Sequence, residues 1–443
     1  MNLTHESDRT AGSTVGAVVP VVRLASARHI WRDSASFRRL FSAALEVCIE
    51  RTIAPRQTAL IRMGISLTFG FFLLREWSHR RVLFGDLSPF SMSMEKAWLS
   101  QSHAFTLLAW SSSRWWFEGI YLAAILVSAL LLLGWHTRTM SVLFMVLVLS
   151  IQNRNVFVGD GGDNLVHLMA IYLAFTKSGQ AWSLDSQRNR RTGNRPSGNG
   201  RPDLAGISLW AILGSAMAVC QISGFAKMGM LNFGFGWGTV LWGFWVLTAV
   251  GFVLENRSGK GQFRWLLESS SRAVHNAAVV VIGVQVCFIY AVAGSSKVQG
   301  GLWQEGTAVF YPLRLDYFSP WPWLSNYVSG SMIAVVALTY GTILMQTAFP
   351  FAIFNRRVKN CLLVLLLLEH LGIGILLGLP FFSLAIISSD AIFLPTNLLV
   401  RIEQRILRQV RVRKERLGRD GRPADAGSPE TPPRMTGSIV LNE

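Results

Sequence analysis

The stretch "CLLVLLLLEHLGIGILLGLPFFS", positions 361 to 383, contains one glutamate, one histidine and no lysine or arginine. About 20 apolar residues are needed to cross the hydrocarbon core of a bilayer, so this stretch predicts a transmembrane helix. Similar apolar runs recur along the chain. We therefore predict an all-α, polytopic integral membrane helical bundle with nine or ten transmembrane helices. The predicted spans are 58–75, 117–135, 139–153, 164–177, 205–226, 237–254, 276–295, 329–354, 361–379 and 381–396.

The composition and the charge distribution support a membrane protein. Of 443 residues, 51% are hydrophobic and 15% are charged, whereas soluble domains carry about 25% charged residues. The formal net charge of +17 comes largely from basic segments before the first predicted span and after the fourth, sixth, eighth and tenth. With ten spans these segments share one side, as the positive-inside rule predicts for a chain with both termini in the cytoplasm. The predicted partner is the lipid bilayer, and nucleic acid is not expected.

The predicted organisation has three parts. Residues 1–57 form a cytoplasmic N-terminal segment with an amphipathic helix, 58–396 form the transmembrane domain, and 397–443 form a basic cytoplasmic tail. Within the domain, 178–204 is rich in Arg, Asn, Gly and Ser and predicts a cytoplasmic linker outside the packed core. In the tail, Ile402 and Ile406 share a face opposite arginines, which predicts an amphipathic helix on an anionic leaflet or, alternatively, a solvated basic tail.

Lys297 lies where an apolar helix meets a polar loop, in "YAVAGSSKVQGGLWQEGTAVFY" at positions 290 to 311. The small residues before it allow close backbone approach. A lysine that is partly withdrawn from water can be left as a neutral amine that takes a proton. Alternatively, Lys297 snorkels to the membrane interface beside Trp303 and pairs with Glu305. The residues alone leave both roles open.

The loop that follows Lys297 is a candidate lid. Trp303, Glu305 and Arg314 lie on it and can fold back over the lysine to limit water. Within the same loop, Arg314 is predicted to pair with Asp316. The ten-span topology places this loop outside the cytoplasm.

Glu369 and His370 stand in the middle of a predicted span. A charge in hydrocarbon is costly and usually faces a cavity or a partner, so both are candidate site residues. Adjacent helical residues point about 100° apart, so at most one of them reaches a given partner squarely. Proton transfer, substrate contact and a structural hydrogen bond to another helix all remain open. The other ionisable residues inside predicted spans are Arg62, Glu118, His167, Lys297 and Asp390.

The motif "GDGGD", positions 159 to 163, precedes a predicted span. Asp160 and Asp163 flank two glycines, which permit a tight turn. Asp163 or Asn164 is predicted to cap the helix that follows. Cation binding by the two carboxylates is the alternative, and His167, one turn further on, is a candidate ligand contact. The cysteines lack metal-ligand spacing, so no metal site is predicted.

Three stretches carry a family resemblance. They are "RNVFVGDGGDNLVHLMAIYLAF", "YAVAGSSKVQGGLWQEGTAVFY" and "FPFAIFNRRVKNCLLVLLLLEHLGIGILLGLPFFSLAIISSDAIFLP". Together they resemble bacterial HTTM-domain membrane proteins, including relatives of sporulation-delaying protein B, in a superfamily that contains the vitamin K-dependent gamma-glutamyl carboxylases. The resemblance runs in order through the predicted transmembrane domain.

The resemblance also implies chemistry. The carboxylase pattern has Ala-Gly, then a lysine, then Trp-x-x-Gly, and this chain keeps Ala293, Gly294, Lys297, Trp303 and Gly306, with a Lys-to-Trp spacing one residue longer. By resemblance, Lys297 is the base that deprotonates a reduced quinone, menaquinol or vitamin K-like. The same resemblance implies the extracytoplasmic face of a bacterial cell membrane as the place of reaction.

Three classes of function follow. The first is a carboxylase-like, oxygen-dependent membrane enzyme that modifies or matures an exported peptide. The second is a non-enzymatic maturation, immunity or scaffold factor for a secreted peptide. The third is a transporter, favoured if the similarity between the surroundings of Lys227 and Lys297 is an internal repeat. The candidate catalytic residues are Lys297, His370 and Glu369, and the candidate ligand-binding residues are Trp303, Glu305, Arg314, Asp160, Asp163 and His167.

Overall fold

The computed structural model describes residues 49–102, 104–191, 204–223, 237–257 and 262–420. These residues form helices and turns, with no strand among them, which confirms the predicted all-α class. The predicted helix of the N-terminal segment and the surroundings of Lys227 lie outside the described residues, as do residues 192–203 of the linker.

The helices are numbered along the described chain. They are α1 (Pro55–Arg75), α2 (Arg80–Leu83), α3 (Met92–Ser102), α4 (Arg114–Leu133), α5 (Thr137–Gln152), α6 (Gly161–Ala174), α7 (Leu184–Arg191), α8 (Leu204–Ile222), α9 (Trp237–Arg257), α10 (Gln262–Gln299), α11 (Gly301–Gln304), α12 (Phe310–Arg314), α13 (Pro322–Ser329), α14 (Met332–Ala352), α15 (Arg356–Leu376), α16 (Pro380–Asp390) and α17 (Thr396–Asp420).

Five helices are long and apolar enough to cross a membrane, namely α1, α4, α10, α14 and α15. A sixth span is possible if α16 and α17, which meet at a bend of 106°, form one broken span. In α5, α8 and α9 the apolar part is shorter than 18 residues. Among the described residues, five or six helices could therefore span a membrane by length and composition, fewer than the nine or ten predicted.

Two groups of helices meet at α16. In the first group α1 packs on α4, α4 on α5 and α5 on α6, and in the second α10 packs on α14 and α14 on α15. Helix α16 contacts α1 and α6 as well as α15. A Cβ atom on Gly64 would lie 2.0 Å from Ser388 Oγ, so only glycine permits the close approach of α1 to α16. Small residues at such crossings let membrane helices pack backbone to backbone.

Arg62 is fully buried inside α1 and has a structural role. Its guanidinium donates to the carbonyl oxygens of Leu131, of Leu132 at 2.9 Å and of Trp182 at 2.8 Å. Two of these carbonyls lie in the last turn of α4, where the helix itself supplies no donor. Arg62 thus joins α1 to the end of α4 and to the turn after α6.

The first part of the predicted linker belongs to the packed structure, contrary to the prediction for 178–204. Asp185 accepts hydrogen bonds from His136 N at 3.0 Å, from Thr137 N at 2.7 Å and from Thr137 Oγ1 at 2.6 Å. These donors are at the start of α5, where a carboxylate is favoured. Ser183 is buried as well. The polar composition of this stretch predicted a free linker. The donors that Asp185 satisfies are distant in sequence, so no local pattern indicates them.

A buried arginine anchors the segment between α1 and α4. Arg154, just after α5, donates to Phe90 O at 2.9 Å and to Gly85 O at 3.3 Å. Its Nε lies 3.3 Å from Glu95 Oε2, and Glu95 is fully buried. Arg154 thus holds this segment as a cap over the end of α5.

Glu95 predicts a pH-dependent stability. Burial raises its pKa from 4.5 to about 7, although the charges of Arg154 and Lys96 act in the opposite direction. The folded protein therefore holds a proton that the unfolded chain loses as the pH rises from 4.5 to about 7. The stability that the protonated Glu95 contributes is fully present below pH 4.5 and is lost as the pH rises to about 7.

Thermal unfolding in detergent checks this expectation. Between about pH 5 and about pH 8, the melting temperature of the unchanged protein should fall more than that of Glu95→Gln, whose amide does not titrate. Equal pH dependence of the two proteins would contradict the assignment.

Candidate functional site

Lys297 lies in the last turn of α10, and a close helix crossing sets its position. A Cβ atom on Gly294 would lie 2.6 Å from Thr347 Oγ1 and 2.9 Å from Thr347 N, so α10 and α14 are nearly in backbone contact there. The crossing places Lys297 opposite Gln346, which lies 14 residues, or about 20 Å of helical rise, from the start of α14. Lys297 therefore ends its own helix but lies beside the second half of α14.

A hydrogen-bonded chain of three side chains forms the centre of the site. Lys297 Nζ donates to Gln346 Oε1 at 2.8 Å, and Gln346 Nε2 donates to Glu369 Oε1 at 2.7 Å. The two bonds use the amide in one orientation, with its oxygen toward the cation and its nitrogen toward the carboxylate. Gln346, which is buried, bridges the amine of Lys297 and the carboxylate of Glu369, which lie on different helices.

Trp303 covers the lysine. Lys297 Nζ lies 5.2 Å from the centroid of the Trp303 ring, within the range of a cation–π interaction. The segment that carries Trp303 packs against the first half of α14, where Tyr340 OH donates to Gln304 O at 2.7 Å. The predicted lid is thus closed over Lys297 by its tryptophan.

The other two predicted lid residues do not contact the lysine. Glu305 is exposed, and the described ion pairs include none between it and Lys297, which donates to Gln346 instead. Arg314 is exposed as well, and its Nη1 donates to Asn326 Oδ1 at 3.2 Å. The expected pair with Asp316 is absent from the ion pairs of the described residues, and Asn326 on α13 is the observed partner.

His370 is buried next to the charged chain. Its ring lies 6.1 Å from that of Tyr290 and 5.9 Å from that of Phe382, measured between centroids. Neither ring nitrogen has a hydrogen-bond partner among the described residues. Glu369 and His370 therefore point to different neighbours, as their adjacent positions on a helix predicted.

A second polar pair lies nearby in the interior. Tyr290 OH donates to Asp390 Oδ2 at 2.8 Å, and both residues are buried. Around the two polar groups, six buried atoms on α14, α15 and α16 have no hydrogen-bond partner within the described chain. They are Thr347 Oγ1, Glu369 Oε2, His370 Nδ1, His370 Nε2, Ser383 Oγ and Asp390 Oδ1. Such a concentration of unused polar atoms is typical of a place that takes up water or a ligand.

Asp160 and Asp163 cap a helix. Asp160 Oδ1 accepts from Gly162 N at 2.7 Å and from Asp163 N at 3.0 Å, while Asp163 Oδ2 accepts from Asp160 N at 3.0 Å. This reciprocal capping box begins α6 with Asp160 as the cap, rather than the predicted Asp163 or Asn164. The carboxylates are therefore engaged in capping rather than gathered for a cation. His167 is half-buried further along α6.

Two residues of the site, Gln346 and Tyr290, were not predicted. Gln346 is an amide inside an apolar helix, a polar group that is costly in lipid without a partner. Tyr290 lies two helical turns before Lys297 and so occupies the same helix face. Both signals are present in the sequence, but the prediction was limited, inside the spans, to ionisable residues.

The arrangement combines a proton-binding amine, a carboxylate and a histidine inside a helical bundle. Across the part of the chain that the structure describes, no three His, Cys, Asp or Glu side chains gather as metal ligands. The unused acceptors on Glu369 and His370 suit a ligand that donates hydrogen bonds, such as a hydroxylated ring. Comparison of the chain with protein-family models, with curated proteins and with solved structures gives no match.

Proposed function

We propose that the chain is an HTTM-type integral membrane enzyme in which Lys297 acts as a base toward a hydroxylated ligand, in the maturation of an exported peptide. The observation that carries this proposal is the series of hydrogen bonds that runs from the side chain of Lys297 through Gln346 to Glu369. When the amine of Lys297 takes a proton, the resulting cation finds an acceptor on Gln346, the face of Trp303 and the field of a carboxylate already in place. Preorganised groups of this kind favour the charged product of a proton transfer.

A reduced quinone, menaquinol or vitamin K-like, is the proposed cofactor, and by resemblance it supplies oxygen-dependent chemistry when bound. The residues present fit such a group. Lys297 would take the proton of a ring hydroxyl, while Glu369 Oε2 and His370 offer unused acceptors. Trp303 limits the access of water.

The finer topology is also a proposal: nine or ten spans in a bacterial cell membrane, with both termini in the cytoplasm. Its support is that basic segments far apart in sequence meet at one end of the bundle. Arg56, before the first span, pairs with Glu403 of α17 at 2.7 Å, and Arg190 of the linker approaches the same carboxylate at 3.9 Å. Shared location of the basic segments is what the positive-inside rule predicts.

The second candidate function is a non-enzymatic maturation, immunity or scaffold factor for a secreted peptide. Exposed aromatic side chains between α12 and α14 favour it, since Tyr317 is 88% exposed, Tyr327 79% and Trp323 69%. Aromatic residues of this kind bind peptides and also anchor in the membrane interface.

The test compares exported peptides from cells with and without the protein by mass spectrometry. A peptide product should depend on the protein, and Gln346→Leu should reduce that product about 10-fold or more, because it removes both hydrogen bonds of the chain. Gln285→Leu is the matched control, since within the described residues Gln285 on α10 has a single hydrogen bond, accepted from Tyr172 OH at 3.3 Å. Membrane abundance is measured for both variants.

An unchanged peptide profile in the deletion strain would overturn the proposal. If Gln346→Leu is as abundant and as active as Gln285→Leu, the hydrogen bonds from Lys297 through Gln346 to Glu369 have no role in the chemistry. The non-enzymatic function is then favoured.

A further inference from the structure

An open depression of about 440 Å³ lies at the end of the bundle where α1 and α10 begin. Three parts of the chain line it: the residues before α1, the turn after α6 and the first turns of α10. Each part contributes one basic side chain, namely Arg51, Lys177 and Arg272. Along α10, Arg272 and Lys297 are separated by roughly 37 Å of helical rise. The depression is therefore independent of the site proposed above.

Two buried side chains of α10 hold these parts together. His275 Nδ1 accepts from Lys177 N at 2.9 Å, so the hydrogen on Nε2 is the one shared with Ile53 O at 2.9 Å. Asn276 Oδ1 accepts from Ile53 N at 2.8 Å, and its Nδ2 donates to Arg51 O at 2.7 Å. Both residues are almost completely buried. The backbone positions of the basic residues are thus fixed by the fold.

No ion pair within the described residues neutralises the basic side chains of the depression, although Arg272 Nη2 donates to Ser269 Oγ at 3.4 Å. Burial, followed by the charges of Arg138 and Arg272, lowers the pKa of Lys177 to about 8, against a smaller opposing effect of Glu268. Arg272 Nε is buried with no hydrogen-bond partner among the described residues. The ion pairs within that part of the chain include none of Lys177, Arg138 and Arg272, although Glu50 and Glu268 also line the depression.

We propose that this depression binds a phosphate group, carried by the headgroup of an anionic lipid or present as free phosphate. Phosphate oxygens accept several charge-assisted hydrogen bonds at once, which suits Lys177 and the fork of Arg272. Apolar side chains of α10 beside the depression are exposed, with Trp265 at 61% and Leu266 at 52%. They provide a surface for the acyl chains of a lipid whose phosphate occupies the depression.

Thermal unfolding of the full chain in nanodiscs tests the proposal. One arm compares phosphatidylcholine discs with discs that also contain phosphatidylglycerol, and a second titrates inorganic phosphate into phosphatidylcholine discs at constant ionic strength. The melting temperature should rise by roughly 2 °C or more in at least one arm. A rise only with phosphatidylglycerol assigns the lipid, and a rise with inorganic phosphate assigns free phosphate.

The double variant Lys177→Gln with Arg272→Gln should raise the half-saturating ligand concentration at least about 10-fold, since two charge-assisted bonds are lost. Arg356→Gln with Arg357→Gln removes the same charge from exposed positions at the start of α15 and should respond like the unchanged protein. Equal losses in both double variants would show general electrostatics and overturn the site, as would the absence of a rise in both arms.

A further measurement keeps the test valid if the double variant does not fold. The single variant Lys177→Gln should fold at least as stably as the unchanged protein without ligand, because it relieves repulsion from two arginines. Native mass spectrometry then compares retention of phosphatidylglycerol and phosphate. Undiminished retention of the ligand in this variant would overturn the proposal.

Discussion

Changing Lys297 to arginine is expected to reduce formation of the peptide product by about 100-fold or more while leaving membrane abundance unchanged. Arginine keeps the positive charge and can still donate to Gln346 and lie over Trp303. It differs in one property that matters here, because a guanidinium does not give up its proton and so cannot act as a base. The product is measured by mass spectrometry of exported peptides, and abundance by immunoblotting of membranes.

Lys359 provides a matched control for this substitution. It is also a half-buried lysine, and its Nζ donates to Phe393 O at 2.5 Å. Lys359→Arg should therefore keep both abundance and product. If Lys297→Arg forms product at the normal rate, Lys297 is an interfacial anchor and the peptide-holding function is favoured over the enzyme.

Changing Arg62 to leucine is expected to destabilise the fold by about 3–5 kcal/mol. The apolar side chain would leave the carbonyls of Leu131, Leu132 and Trp182 buried without their donor. The stability of Arg62→Lys should lie between that of the unchanged protein and that of Arg62→Leu, because an ammonium lacks the planar fork that reaches separate carbonyls. Denaturant-induced unfolding in detergent, followed by circular dichroism, measures these differences.

Arg190→Leu serves as the comparison for Arg62. The Arg190 side chain is 69% exposed and lies 3.9 Å from its carboxylate partner, so removal should change stability by less than about 1 kcal/mol. A loss for Arg62→Leu as small as that for Arg190→Leu would show that the three carbonyls find other donors.

Some parts of the site were predictable because they depend on local sequence. "GDGGD" indicated a helix cap since its donors and acceptors lie within four residues, and only the identity of the cap differed. The position of Glu369 in the middle of an apolar run indicated a polar partner, because hydrocarbon offers none. The partner itself, Gln346, was not predicted. It depends on the packing of α14 on α15, and no local pattern specifies which helices pack together.

The same limit explains the errors made for ordered loops. Asp185 lies in the stretch predicted as a free linker, yet it accepts hydrogen bonds at the start of α5, and Arg154 likewise donates to backbone carbonyls between α2 and α3. Their partners are 48 and 64 residues away in sequence. Polarity shows that a residue needs hydrogen-bond partners but does not show whether water or protein supplies them.

The sequence by itself determined that apolar helices of membrane-spanning length are present and that the protein is all-α. Long apolar runs require hydrocarbon, and within hydrocarbon a helix satisfies its own backbone hydrogen bonds. It also placed Lys297 at the end of a helix. Only the tertiary structure decided that this lysine meets Gln346 under Trp303, that Arg62 is structural, and that Arg51, Lys177 and Arg272 surround one depression. Each of these depends on which helices pack together, and helix packing brings together residues that have no relation along the chain.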